Sequence, residues 1–166
     1  MMTKGETVKS LYEQALEYLE EGYYDEAANA LQSYLNDNPT NAMAHNKLGV
    51  ALAKKKNRKE AKQCFEEALK YDAHLVHALN NLGNIAREEG NLERAVEYYQ
   101  KAIHIDPDYS LPHNNLSVVY KQLHRYGDFI REIKTAKRLE NRKVHNPKGR
   151  LDFTSWLKEL WSKPHK

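Results

Sequence analysis

The sequence predicts an all-helical fold built from repeated antiparallel helix pairs, on three observations. The same residue types return every 34 residues: Leu48, Leu82 and Leu116; Gly49 and Gly83 with Ser117; Ala27, Ala61 and Ala95 with Phe129; Phe65, Tyr99 and Ile133; Ala68, Ala102 and Ala136. Only 7 glycines and 5 prolines interrupt 166 residues, of which 30% are charged. The β-branched and aromatic residues do not alternate with a period of two, so a sheet has no support. The length suits one domain.

The elements follow in order. Helices are expected at 5–21 and 24–37, 42–55 and 58–71, 76–89 and 92–105, 110–123 and 126–139. Gly22, Asn57 and Gly90-Asn91 mark the turns inside each pair. Pro39 and Pro107, with Ala73 between them in register, mark where a pair must stop, because proline lacks the next backbone N–H and restricts the residue before it. Small residues at Ala27, Gly49, Ala61, Gly83 and Ala95 allow two helices to approach, and Leu48, Phe65, Leu82 and Tyr99 fill the space beside that contact.

Large residue, Leu-Gly, alanine, aromatic and closing proline, in phase over 34 residues, resemble the tetratricopeptide repeat. The resemblance covers residues 8–41, 42–75 and 76–109 as three good repeats and 110–141 as a degenerate fourth, placing a repeat domain at 1–141. It implies a right-handed α-solenoid. In the last repeat Phe129 replaces the small alanine, His124 replaces the turn glycine and no proline closes the unit at Asn141, so a looser or rotated hairpin is expected. A basic loop is expected at 142–151. Beyond it Phe153, Trp156, Leu157, Leu160 and Trp161 fall at helical spacing, which predicts an amphipathic helix over 152–163 that caps the exposed end of the stack.

The first helix of each repeat is two-faced. In the third, His77, Asn80, Asn81, Asn84 and Glu88 share one stripe, opposite Leu79, Leu82, Gly83 and Ala86. The matching stripes are Met43, Asn46, Lys47, Val50 and Lys54; Leu111, Asn114, Asn115, Val118 and Gln122; and Lys9, Tyr12, Glu13, Leu16 and Glu20. The family resemblance implies that this stripe lines a concave groove holding a partner segment. Tyr12, Asn46, Lys47, Lys54, His77, Asn80, Asn81, Asn84, Arg87, Asn114, Asn115 and Lys121 are the candidate binding residues.

Asparagine is a mediocre helix former, yet Asn46, Asn80 and Asn114, and again Asn81 and Asn115, recur in register. Each side chain carries an acceptor and donors suited to the backbone of an extended peptide. The row is similar to the asparagine ladder in the repeats of O-linked N-acetylglucosamine transferase, without room for that enzyme's catalytic domains. The alternative is that one member of each Asn-Asn pair bonds across to a neighbouring helix. On the groove reading, replacing Asn81 and Asn115 by alanine leaves helicity and the melting temperature intact or slightly higher and weakens binding. The carboxylate clamp of chaperone-binding relatives is not reproduced: its positions fall on Tyr12, Leu16, Lys47, His77 and Asn81, or one repeat later on Asn46, Val50, Asn81, Leu111 and Asn115.

No catalytic, cofactor or metal site is expected. His74 and His77 lack the further ligands of a four-coordinate site, and the histidines are read as surface residues. Cys64 sits beside Phe65 with nothing to activate it, and no phosphate-binding glycine loop occurs. The partner is therefore expected to be a protein or peptide. Residues 1–136 hold 17 Lys/Arg against 20 Asp/Glu, and residues 137–166 hold 9 against 3. That basic tail carries the alternative of a regulatory nucleic-acid contact, against which the absence of a helix-turn-helix or RNA-stacking motif counts. A homotypic scaffold, the aromatic end of one chain in the groove of another, is a further alternative. Met1–Leu11 contain no apolar leader core and no window is apolar enough to span a bilayer, so a cytoplasmic location is expected.

Overall fold

The computed structural model describes residues 10–145. The expected capping helix at 152–163, most of the basic loop at 142–151 and the groove residue Lys9 lie outside them. Among the described residues there are eight helices: α1 (Leu11–Glu21), α2 (Tyr24–Asp37), α3 (Ala42–Lys54), α4 (Arg58–Tyr71), α5 (Val76–Glu88), α6 (Leu92–Ile105), α7 (Ser110–Gln122) and α8 (Tyr126–His145).

Each odd helix pairs with the even helix that follows, and each pair stacks on the next. The odd helices also touch one another, α1 on α3, α3 on α5 and α5 on α7, whereas no two even helices meet. The stack is therefore crowded on the odd-helix side and splayed on the other. That difference curves the solenoid and makes the odd helices its inner, concave wall.

Local chemistry sets the helix ends. The Ser10 hydroxyl accepts from the Glu13 N–H at 3.2 Å while the Glu13 carboxylate accepts from the Ser10 N–H at 2.9 Å, a reciprocal cap that starts α1 at Leu11 rather than at residue 5. Asn41 and Asn91 cap α3 and α6 through their side-chain oxygens. Inside each pair one residue turns left-handed: Gly22 (φ 86°), Lys56 (φ 63°), Gly90 (φ 79°) and His124 (φ 58°). These four are in register, so the turn of the second pair is made at Lys56, one residue before the expected Asn57, which instead precedes α4 as its cap.

One further expectation changes. α8 runs on to His145, past 139 and through the first residues of the expected loop, since no proline or glycine interrupts it between Gly127 and Pro147. Arg138 and Arg142 in its later turns suit the negative end of a helix dipole. α7 and α8 pair as the helices of the other repeats do.

The core runs the length of the stack. Ala27, Leu31, Ala61, Phe65, Ala68, Ala95, Tyr99, Ala102, Leu116 and Ala136 are all buried, as their recurrence implies. One histidine departs from the expected surface position. His113 is buried, with Nδ1 2.7 Å from a Glu132 carboxylate oxygen and Nε2 3.2 Å from the Pro107 carbonyl oxygen. It stands where the third repeat buries Leu79, so a polar ring fills an apolar position and α8 supplies its partner.

Candidate functional site

The concave wall carries the candidate residues, and the asparagines there divide into two kinds. Asn46 and Asn80, expected on the open groove, are buried, with only 3% and 5% exposed. The Asn81 side-chain amide donates to Asn46 Oδ1 at 3.0 Å, and the Asn115 amide donates to Asn80 Oδ1 at 2.9 Å. Each bond joins one repeat to the next, so the row is a ladder along the stack. A position that is outward on its own hairpin is covered by the next one. Asn81 and Asn115 are half-buried at the edge of that seam. Each spends one amide hydrogen on the ladder and keeps a carbonyl oxygen and a second hydrogen for other use. Replacing them with alanine would strand a buried acceptor, so the expectation of unchanged stability does not stand.

Asn84 is half-buried and accepts from the Tyr99 hydroxyl at 2.7 Å, which ties the groove wall to the core. Burial pushes the Tyr99 hydroxyl up to about 12, opposed by the adjacent Arg87. Tyr12 is half-buried with its ring 5.2 Å from that of Tyr34, and burial followed by that neighbour raises its pKa. His77 is exposed, with its ring 5.3 Å from that of Tyr109; desolvation by its neighbours and then the charge of Lys47 lower its pKa, against the pull of Asp106. Lys47 and Arg87 are half-buried, and Lys54, Asn114 and Lys121 are exposed.

Between α3 and α5 the wall opens into a recess of about 250 Å³. Val50, Ala53, Phe65 and Ile85 give it apolar surface, and Lys54, Arg58, Asn81, Asn84 and Glu88 give it a polar margin. An ion pair between Arg58 Nε and Glu88 at 2.8 Å closes one side and leaves the Lys54 ammonium as the uncompensated charge of the rim. The sequence stripe contained Val50, Lys54 and Glu88. It missed Arg58, Phe65 and Ile85, which reach the recess from other faces and register only once three helices are packed together. A wider depression of about 620 Å³ lies on the outer side, where Leu69, Leu79, Tyr98 and Ile105 meet His74 and His104. No sequence signal marked it.

Burial, and then Glu60 and Glu67, push the Cys64 thiol up to about 11, which keeps it protonated. Among the described residues no cluster of three or more His, Cys, Asp or Glu is placed to hold a metal ion, and no helix is long and apolar enough to cross a membrane.

Stacked antiparallel helix pairs with a 34-residue period define a helical-repeat protein. The tetratricopeptide-repeat profile matches residues 18–82 and 76–109, and the chain belongs to that family. Over 99 residues it is 36% identical to a probable UDP-N-acetylglucosamine–peptide N-acetylglucosaminyltransferase SPINDLY of Hordeum vulgare, covering 58% of this chain and 10% of that protein. Over 110 residues it is 30% identical to the photosystem I assembly protein Ycf3 of a Synechococcus strain, covering 60% of this chain and 64% of that one. The chain thus spans about a tenth of the SPINDLY protein. Among solved structures it is similar to MamA (TM-score 0.72, 21% identity, 81% of this chain and 79% of that one). It is also similar to the first repeat domain of Spaghetti (RPAP3) bound to the HSP90 peptide SRMEEVD (TM-score 0.65, 22% identity, 72% of this chain and 99% of that one).

Proposed function

We propose that this chain is a non-catalytic protein-interaction module that holds an extended peptide segment along the concave wall of α1, α3, α5 and α7. The recess beside Lys54 carries the reading. It offers apolar surface for one side chain within reach of half-buried asparagine amides that can pair with a peptide backbone. Lys47, Lys54, Arg87 and Lys121 favour a segment bearing acidic residues. The peptide named with the Spaghetti structure belongs to that protein, and the incomplete clamp here speaks against the same mode of capture.

The test is a peptide array probed with the purified chain, followed by calorimetric titration of the best binder against three variants. Lys54→Glu and Asn84→Ala alter the recess; Tyr98→Ala alters the outer depression. Loss of hydrogen bonds of about 0.5–1.5 kcal/mol each predicts roughly 2- to 13-fold weaker binding for Asn84→Ala, and no change for Tyr98→Ala. Binding that survives both recess substitutions but falls with Tyr98→Ala would move the site to the outer face and overturn the proposal.

A further inference from the structure

Two departures from the repeat complement each other. The first is at the turn between α1 and α2. Position 23 recurs as Asn57, Asn91 and Arg125, and Asn91 caps α6 through its side chain, whereas Tyr23 makes no side-chain cap and holds its ring 54% exposed. An outward aromatic has replaced a polar residue. Just before it Glu20 and Glu21 close α1, where they face the negative end of the helix dipole with no basic residue in the last turn. Their counterparts Glu88 and Glu89 pair with Arg58 and Lys62 of the preceding repeat, but Glu20 and Glu21 have no ion-pair partner among the described residues. The turn is an exposed ring on an acidic tip.

The second departure is the outer depression of about 620 Å³ in the third repeat. In the second repeat His45 stacks on Tyr71 at 5.5 Å and its Nε2 lies 2.8 Å from the Pro39 carbonyl oxygen, whereas Leu79, Ile105 and Ala73 hold those positions in the third. Without the two rings and the proline, the wall is aliphatic and recessed. The charge changes as well. Glu67 and Lys70 neutralise each other at 2.8 Å, and their counterparts are Lys101 and His104, which cannot. Glu97 at the margin is held by Arg94 at 3.1 Å and the adjoining Asp72 by the His74 N–H at 2.9 Å, so the Lys101 ammonium has no carboxylate partner among the described residues. The depression asks for an apolar ring accompanied by negative charge.

We propose that the Glu20–Tyr23 turn of one molecule docks in the outer depression of a second copy, with the Tyr23 ring on Leu79 and Ile105 and the two carboxylates facing Lys101, His74 and His104. The turn lies at one end of the helix pairs, while the depression extends to the Ala73-His74 loop at the other end, about 20 Å away at about 1.5 Å per residue of helix. A molecule therefore does not fill its own depression. Because two different patches meet, each docked pair still presents a free turn and a free depression, and the chains join head to tail. This does not depend on what the concave groove binds.

Sedimentation equilibrium of the full-length protein is the test. A contact this small falls among weak interfaces of less than about 1,200 Å², so association is followed up to about 1 mM chain in roughly 0.05 M salt. The average mass should rise with concentration past that of a dimer. Tyr23→Ser, Glu21→Lys and Lys101→Glu change exposed residues, with circular dichroism as the check on the fold, and each should weaken association about 10-fold or more. An equimolar mixture of Tyr23→Ser and Lys101→Glu should recover association but stop at a 1:1 dimer, because the first supplies an intact depression and the second an intact turn. Lys54→Ala, in the concave recess, should associate like wild type. A wild type that stays monomeric throughout, association that survives the turn or the depression substitutions, a mixture that remains monomeric, or loss of association with Lys54→Ala would each overturn the proposal.

Discussion

The Tyr99 ring lies so tightly over Gly83 that a Cβ on the glycine would come within 2.5 Å of ring atom Cε1. The same relationship recurs one repeat earlier, where a Cβ on Gly49 would come within 2.6 Å of Phe65 Cε1. Residues at the matching pair of positions in the outer repeats are Ala15 with Leu31 and Ser117 with Ile133. An aromatic ring on the even helix thus demands glycine on the odd helix, and an aliphatic side chain admits a small residue. In the fourth repeat the missing ring volume returns at Phe129, where the other repeats carry alanine.

Gly83→Ala should consequently destabilise the fold by about 1–3 kcal/mol, the usual cost of overpacking. The Tyr99 ring is fully buried and cannot swing away. Combining it with Tyr99→Leu, which recreates the pairing of the first repeat, should cost less than the sum of the two single changes. Chemical denaturation of the four proteins measures this. Full additivity would show that the two positions do not share one packing site.

Lys56→Gly should stabilise the protein by about 1 kcal/mol. Lys56 holds φ 63°, a conformation that costs a residue with a Cβ about 1–2 kcal/mol and that Gly22 and Gly90 adopt freely in the equivalent turns. The gain is partly offset by the greater freedom of glycine in the unfolded chain. The reciprocal change, Gly90→Ala, should lower stability even though a Cβ there meets open space, because the strain lies in the backbone. Thermal unfolding of both variants decides, and opposite signs are required.

The sequence carried most of the architecture because period and turn are local. Leu48, Gly49 and Ala61 announced their roles through recurrence alone, and helix ends fell within a residue or so at α2 to α7. The start of α1 is also legible, in the Ser10-x-x-Glu13 cap just ahead of the apolar run. What the sequence withheld was what depends on the neighbouring repeat. A helical wheel assigns Asn46 and Asn80 to the outward face of their own hairpin, and only the next first helix turns that face into a buried seam. For the same reason His113 looked like a surface histidine until Glu132 and the Pro107 carbonyl closed around it.

Alkali should unfold the protein partly through Tyr99. Its hydroxyl is pushed up to about 12 by burial, against about 10 for an unfolded tyrosine. A group raised in the folded state gives stability that is complete below the unfolded value and lost as pH climbs through the folded one. Unfolding free energy should therefore fall between about pH 10 and 12, and Tyr99→Phe should flatten that fall relative to wild type while costing the Asn84 hydrogen bond at neutral pH. Denaturant titrations at several pH values give the comparison, and parallel curves for the two proteins would refute it.

The ladder makes the sharpest demand. Asn115→Ala removes the donor that Asn80 Oδ1 accepts from at 2.9 Å, in a residue only 5% exposed. The stranded carbonyl should cost about 1–3 kcal/mol despite the better helix propensity of alanine. Asn81→Ala should behave alike through Asn46, which is 3% exposed. If the loss comes from the unpaired acceptor, removing that acceptor as well should return part of it. Asn80→Leu with Asn115→Leu, which replaces the polar pair by apolar groups, should then be less harmful than Asn115→Ala plus Asn80→Ala summed. Denaturation of the single and paired variants separates this from a pure groove role, in which Asn115→Ala weakens peptide binding and leaves the midpoint where it was. A midpoint unmoved by both Asn81→Ala and Asn115→Ala would show that the two inter-repeat bonds contribute nothing to holding the stack together.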